Sequence, residues 1–198
     1  MTESRWIALA LVGLVLALPG CKDRNQTERS PVQMPPILAS MASAPIATKE
    51  SPMFTPLTDD IQVSPQISVD QIAAAKAQGV TMIINNRPDG EEPGAPQGPE
   101  IEAAAVAAGI EYVSIPVTHA GFSAPQVDAM IAALGKAQAG GGKVLAYCRS
   151  GTRSTLLWSL AQAKQGANPA ELTRVAANAG YDLTPIRPML DALSGQVE

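Results

Sequence analysis

An α/β fold is predicted, with a mostly parallel central sheet and helices on both faces. Three observations point to it. Residues 80–85 (VTMIIN) and 143–147 (KVLAY) are apolar runs of the kind that form buried parallel strands. Helical stretches opened by capping signals separate these runs, which argues for crossover connections rather than hairpins. The chain is 46% hydrophobic and 16% charged, enough apolar content for a folded core.

Each element follows from local chemistry. Residues 61–64 (IQVS) alternate as a short strand. Ser68 and Gln71 form a capping box opening an alanine-rich helix that stops at Gly79. The strand 80–85 comes next, then a polar loop from Asn86 to Gly98. Pro99 suits a first helical turn, and the helix 99–108 ends at Gly109. Residues 110–116 (IEYVSIP) form a further strand. Ser123 and Gln126 are a second capping box, for helix 124–137. Gly140, Gly141 and Gly142 release the chain into strand 143–147. Helices over 152–165, 169–179 and 185–194 complete the pattern, the second opened by Asn168 and Pro169.

The N-terminal part reads differently. Residues 6–18 are apolar or glycine, too short for a ~30 Å hydrocarbon core, which takes about 20 residues. Their length is that of a signal-peptide core. The run ends Leu18-Pro19-Gly20-Cys21, which resembles a bacterial lipobox with Cys21 as the lipidated residue. The expected organisation is a signal peptide over 1–20, a lipid-anchored disordered tether over 21–60 and a catalytic domain over 61–198. The tether carries six prolines and no sustained period, so it buries too little to offset its ordering entropy. The expected location is the bacterial cell envelope, facing the periplasm, with the membrane as partner through the anchor.

Composition excludes several classes. Net charge is −4 and aromatics are 4%, which argues against nucleic acid as a partner. Two cysteines and one histidine exclude a zinc finger, an iron–sulfur cluster and a disulfide framework. No metal and no cofactor are expected.

The chemistry is expected in Cys148-Arg149-Ser150-Gly151-Thr152-Arg153-Ser154. An apolar strand runs straight into a cysteine, a glycine-containing loop and a helix start. Consecutive backbone N–H groups at a helix N-terminus cradle an anion. That partial positive charge, with Arg149 and Arg153 nearby, favours thiolate and makes Cys148 a nucleophile. Arg153 is expected to stabilise the anionic states. Arg149, Ser150, Gly151, Thr152 and Ser154 are expected around the ligand.

Three segments carry a family resemblance: Val63-Ser-Pro-Gln-Ile67, Ile84-Asn-Asn-Arg-Pro-Asp-Gly-Glu-Glu92, and Ala146-Tyr-Cys-Arg-Ser-Gly-Thr-Arg-Ser154. Together they resemble the bacterial beta-lactamase hydrolase-like phosphatase domains, a family also labelled as sulfurtransferases. The resemblance covers about residues 61–194. It implies a dual-specificity, tyrosine-phosphatase-like scaffold. It also implies that Arg87 binds an anionic part of the substrate and that Asp89 shuttles a proton or orients Arg153. Glu91 and Glu92 read as solvated. His119, the one histidine, follows a strand end as a possible acid or base.

Loop length separates two chemistries. Tyrosine phosphatases place the arginine six positions after the cysteine; here Arg153 stands five positions on, as in the rhodanese loop. The 118–121 loop (THAG) also lacks the aspartic acid such phosphatases use. The leading expectation is therefore a sulfurtransferase. A sulfane-sulfur donor, thiosulfate or a persulfide, leaves a persulfide on Cys148, and a thiol acceptor takes the sulfur. The alternative is a phosphatase acting on a phosphoester through a phosphocysteine. A second alternative is an anion-binding module without turnover.

Overall fold

A computed structural model describes residues 53–195. The expected signal, Cys21 and residues 21–52 of the expected tether lie outside the described residues. The sheet has five strands: β1 (Thr55–Pro56), β2 (Ile61–Ser64), β3 (Val80–Asn85), β4 (Glu111–Ser114) and β5 (Lys143–Tyr147). Their order is β1-β2-β5-β3-β4. The four longer strands are parallel, and β1 adds an antiparallel edge.

Six helices surround the sheet: α1 (Gln71–Ala77), α2 (Gly98–Ala107), α3 (Ala124–Ala139), α4 (Thr152–Lys164), α5 (Pro169–Asn178) and α6 (Arg187–Ser194). Strand alternation divides the core. Ile83 and Leu145 meet Ile72 of α1 and Ile101 of α2 on one face. Ile84, Val144 and Ala146 meet Met130 of α3, Leu157 of α4 and Leu190 of α6 on the other. This follows from crossover handedness. The chain moves one way along the sheet from β2 to β3 and β4, then back to β5, so right-handed connections place α3 on the opposite face.

α4 is buried around nearly its whole circumference, from Ser154 to Ala161. Two of its hydroxyls are returned to its own backbone, Thr155 Oγ1 donating to the Gly151 carbonyl at 3.0 Å and Ser159 Oγ to the Thr155 carbonyl at 2.8 Å, while the buried Ser154 Oγ has no partner among the described residues. The two bonds meet the cost of placing those two hydroxyls in the core.

The helix starts agree closely with their sequence signals. Gln126 Oε1 accepts from the Ser123 N–H at 2.8 Å, and Asn168 Oδ1 from the Ala170 N–H at 2.8 Å. At α1 the Gln71 side chain reaches back to the Ser68 N–H at 2.9 Å, yet the helix itself begins three residues after Ser68. The expected last helix divides into a short 3-10 turn, Thr184–Ile186, followed by α6.

The tether boundary at residue 60 is corrected. Thr55 and Pro56 pair with Val63 and Gln62. Phe54 is 1% exposed, packed with Ile67 and Tyr147. The domain therefore includes residues 53–60. Phe54→Ala is expected to cost about 3 kcal/mol, read as a lowered urea midpoint. An unchanged midpoint would return these residues to the tether.

Candidate active site

The C-terminal ends of β2, β3, β4 and β5 share one sheet edge because the strands are parallel. β5 lies between β2 and β3, and its connection leaves for the face opposite to theirs. Such a switch point opens a crevice at the strand ends. Cys148 is the first residue past β5.

Backbone pairing continues beyond the strands and holds this residue in place. The Cys148 N–H donates to the Ser64 carbonyl and the Gln66 N–H to the Arg149 carbonyl, both at 3.4 Å. On the other side the Asn86 N–H donates to the Tyr147 carbonyl at 2.8 Å.

The loop then closes over the sulfur. The Gly151 N–H donates to Cys148 Sγ at 3.1 Å. Gly151 caps α4 with φ +86°, a left-handed conformation that favours glycine. A side chain there would also collide with the Tyr181 hydroxyl. Tyr181 comes from the segment after α5, and its hydroxyl donates to the Ser150 carbonyl at 3.4 Å. Ser150 Oγ and Thr152 Oγ1 share a 3.1 Å hydrogen bond. Cys148 is fully buried, while Arg149, Ser150 and Thr152 are exposed.

Arg153 lies in the first turn of α4. Its Nη1 donates to the Val117 carbonyl at 2.8 Å and its Nη2 to Glu91 Oε2 at 2.8 Å. The same Glu91 oxygen accepts from Arg87 Nε at 2.7 Å. Arg87 is held on every nitrogen of its head group, with Nη1 on Gln66 Oε1 and Nη2 on Glu92 Oε2, each at 2.8 Å. Its backbone N–H donates to Asn85 Oδ1 at 2.8 Å, and Asn85 Nδ2 donates to the Tyr112 hydroxyl at 2.9 Å. A chain of contacts thus runs from the half-buried Tyr112 to Arg153.

The electrostatics follow this geometry. The Arg153 hydrogen bond is the largest influence on Glu91; burial opposes it, Arg87 reinforces it, and the carboxyl is held below its ordinary value. Burial works against the Arg153 charge, but Glu91 and the Cys148 sulfur outweigh it, so this guanidinium is held above its ordinary value. Burial likewise opposes the Arg87 charge, and the hydrogen bonds to Glu92 and Glu91 raise it.

Several expected roles change. Glu91 is not solvated: its side chain is 20% exposed and joins two guanidiniums. Asp89 does not orient Arg153. Its Oδ1 accepts the Gly98 N–H at 2.6 Å, at the start of α2. Arg87, expected at the substrate, is 4% exposed, with its head group held by Glu91, Gln66 and Glu92. Ser154 is fully buried in α4, away from the exposed surface of the loop. His119 is exposed on the loop after Val117. Gln66, quoted above only as part of a motif, connects three loops: it meets Arg87, the Arg149 carbonyl and, through Nε2 at 3.4 Å, the Pro96 carbonyl. Among the described residues no group of three or more His, Cys, Asp or Glu side chains is arranged to hold a metal.

The family model described as "Beta-lactamase hydrolase-like protein, phosphatase-like domain" matches residues 53–165, more than half of the chain. The chain belongs to this family. A beta-lactamase hydrolase-like protein of Agrobacterium fabrum is 31% identical over 142 residues, covering 71% of this chain and 32% of the relative. The chain thus spans about a third of the length of the curated relatives it matches. The crystal structure of a candidate phosphatase from Neisseria meningitidis is 32% identical, with a TM-score of 0.58, and the match covers 70% of this chain and 96% of that one. Tk-PTP in its active form superposes with a TM-score of 0.60 at 16% identity, over 74% of this chain and 99% of that one. The fold of this family member is therefore tyrosine- and dual-specificity-phosphatase-like.

Glu91→Gln is expected to loosen Arg153 and to cost about 2 kcal/mol at neutral pH. The sign follows from linkage. The carboxyl is depressed in the folded protein, so its stabilisation is complete above the ordinary value of 4.5 and is lost as pH falls through the folded value. Chemical denaturation from pH 7 to 2 should show a shallower acid loss in the variant. Parallel curves would remove Glu91 from this role.

Proposed function

We propose that this domain is a cysteine-dependent phosphoric monoester hydrolase. The observation that carries this reading is the placement of Cys148 Sγ, the Gly151 amide and the Arg153 guanidinium together on a tyrosine-phosphatase-like scaffold. Phosphatase-like relatives and neighbours support it over the leading expectation of sulfur transfer.

The chemistry runs in two steps. The Cys148 thiolate attacks phosphorus, and the bond from phosphorus to the ester oxygen breaks. Arg153 and the loop amides hold the phosphoryl oxygens as charge develops. Water then attacks the phosphocysteine. The P–S bond breaks, the thiolate returns, and one water proton passes to a phosphoryl oxygen. Arg153 spends one N–H of each Nη on Val117 and Glu91, and its other guanidinium N–H groups remain to meet the phosphoryl oxygens. Glu91, ionised between two guanidiniums, is a poor proton donor. We assign leaving-group protonation to His119, on the loop whose Val117 carbonyl anchors Arg153.

One observation favours sulfur transfer as a second reading. Arg153 stands five positions after Cys148, and the sixth position, Ser154, is buried. This tighter ring suits a sulfane sulfur delivered by thiosulfate or a persulfide. Export and lipid anchoring at Cys21 are also proposed, on the apolar 6–18 run and the Leu18-Pro19-Gly20-Cys21 sequence alone.

Paired assays decide the chemistry. Release of phosphate from 4-nitrophenyl phosphate, with a phosphoryl adduct on Cys148 by intact mass, is the expected result. A sulfur adduct from thiosulfate, without phosphate release, would install the second reading, and binding without turnover would leave an anion-binding module. Cys148→Ser should abolish turnover with its circular dichroism spectrum unchanged; residual activity would remove the nucleophile assignment.

His119→Ala should slow alkyl phosphate hydrolysis by 10²-fold or more. It should spare 4-nitrophenyl phosphate, whose leaving group departs without a proton. Equal losses on both esters would exclude an acid role.

A further inference from the structure

The charges around the nucleophile constrain what else a substrate can carry. Four loops follow the parallel strands at the catalytic edge: residues 65–70, 86–97, 115–123 and 148–151. None contains a lysine. Their arginines are Arg87 and Arg149, joined at this edge by Arg153 in the first turn of α4. Against these three guanidiniums, joined by His119 while it holds the proton it donates, stand four carboxylates: Asp70, Asp89, Glu91 and Glu92.

The three guanidiniums are not equally available. The Arg87 side chain is 5% exposed and its charge is taken by Glu91 and Glu92. Arg153 shares Glu91 and is the group that must serve the phosphoryl oxygens. Arg149 remains, exposed and with no side-chain partner among the described residues. On the outer side, Asp70 is exposed, and the Glu92 side chain is 59% exposed even while it meets Arg87. A second anionic group on a bound molecule would therefore meet one free arginine, with no lysine, and His119 only while it holds its proton, beside the exposed carboxylates of Glu92 and Asp70. Like charges across a recognition surface act against binding and slow encounter.

We infer that this site selects phosphate monoesters whose negative charge lies on a single phosphoryl group, with a neutral or cationic remainder, and that it discriminates against polyphosphorylated and acidic molecules. The inference rests on the phosphatase reading for its chemistry and on Arg149, Glu92 and Asp70 for its selectivity.

The test uses the full chain and matched phosphotyrosyl peptides, one flanked by Asp and Glu, the other by Lys and Arg. At low salt the basic peptide should have a kcat/KM roughly tenfold or more above the acidic one. The two should converge near 1 M salt, where screening shortens to about 3 Å. Calorimetry on Cys148→Ser reads the same selection without turnover: inositol hexakisphosphate should bind no more tightly than inorganic phosphate. A faster acidic peptide, or tighter hexakisphosphate binding, overturns the inference. If neither peptide releases phosphate, the phosphatase reading fails by itself, and the calorimetric comparison still decides the charge selection.

Discussion

One carboxylate oxygen holds the site together. Glu91 Oε2 accepts from Arg87 Nε and from Arg153 Nη2 at nearly the same distance. Two guanidiniums drawn out of water need a shared counter-charge, because an unpaired buried charge costs several kcal/mol. Satisfying that need gives the rest its order. Arg87 is fixed by Gln66 and Asn85, so Glu91 has a defined place, and Arg153 is drawn toward Cys148 rather than into solvent. This pairing ties the loop after β3 to the first turn of α4, beside the link that Gln66 makes between Arg87 and the Arg149 carbonyl.

Much of the fold was legible because its signals are local. β3 and β5 are apolar runs that only a buried strand accommodates, and the starts of α3 and α5 are written in side chains that bond their own backbone. β1 was not legible. It is two residues long, contains a proline and lies in a proline-rich stretch, so neither length nor alternation separates it from a linker. Its evidence is Phe54, whose burial depends on Ile67 and Tyr147, distant in sequence.

The site divides in the same way. Cys148, Gly151 and Arg153 announce themselves because a strand, a glycine and a helix start follow in series. Glu91 did not, because its importance arises from a contact spanning 62 positions of sequence. Asp89 misled for a complementary reason: a carboxylate in a loop before a helix can bond that helix's first N–H groups, and Gly98 claims it. The spacing between Cys148 and Arg153 was read correctly as shorter than a tyrosine phosphatase loop. That spacing points to sulfur transfer, whereas the helices that follow the loop belong to a phosphatase-like scaffold.

Those late helices have a consequence for how the protein comes into being. The segment after α5 supplies Tyr181, which braces the loop at Ser150 and Gly151, and α6 covers the helix that begins there. A nascent chain carries Cys148 well before it carries these partners. Cys148 emerges into a loop that is still unbraced, over a helix whose apolar sides are still open. The loop thus gains its brace only when the segment after α5 and α6 dock, and a chain interrupted after α4 would hold Cys148 and Arg153 without these partners.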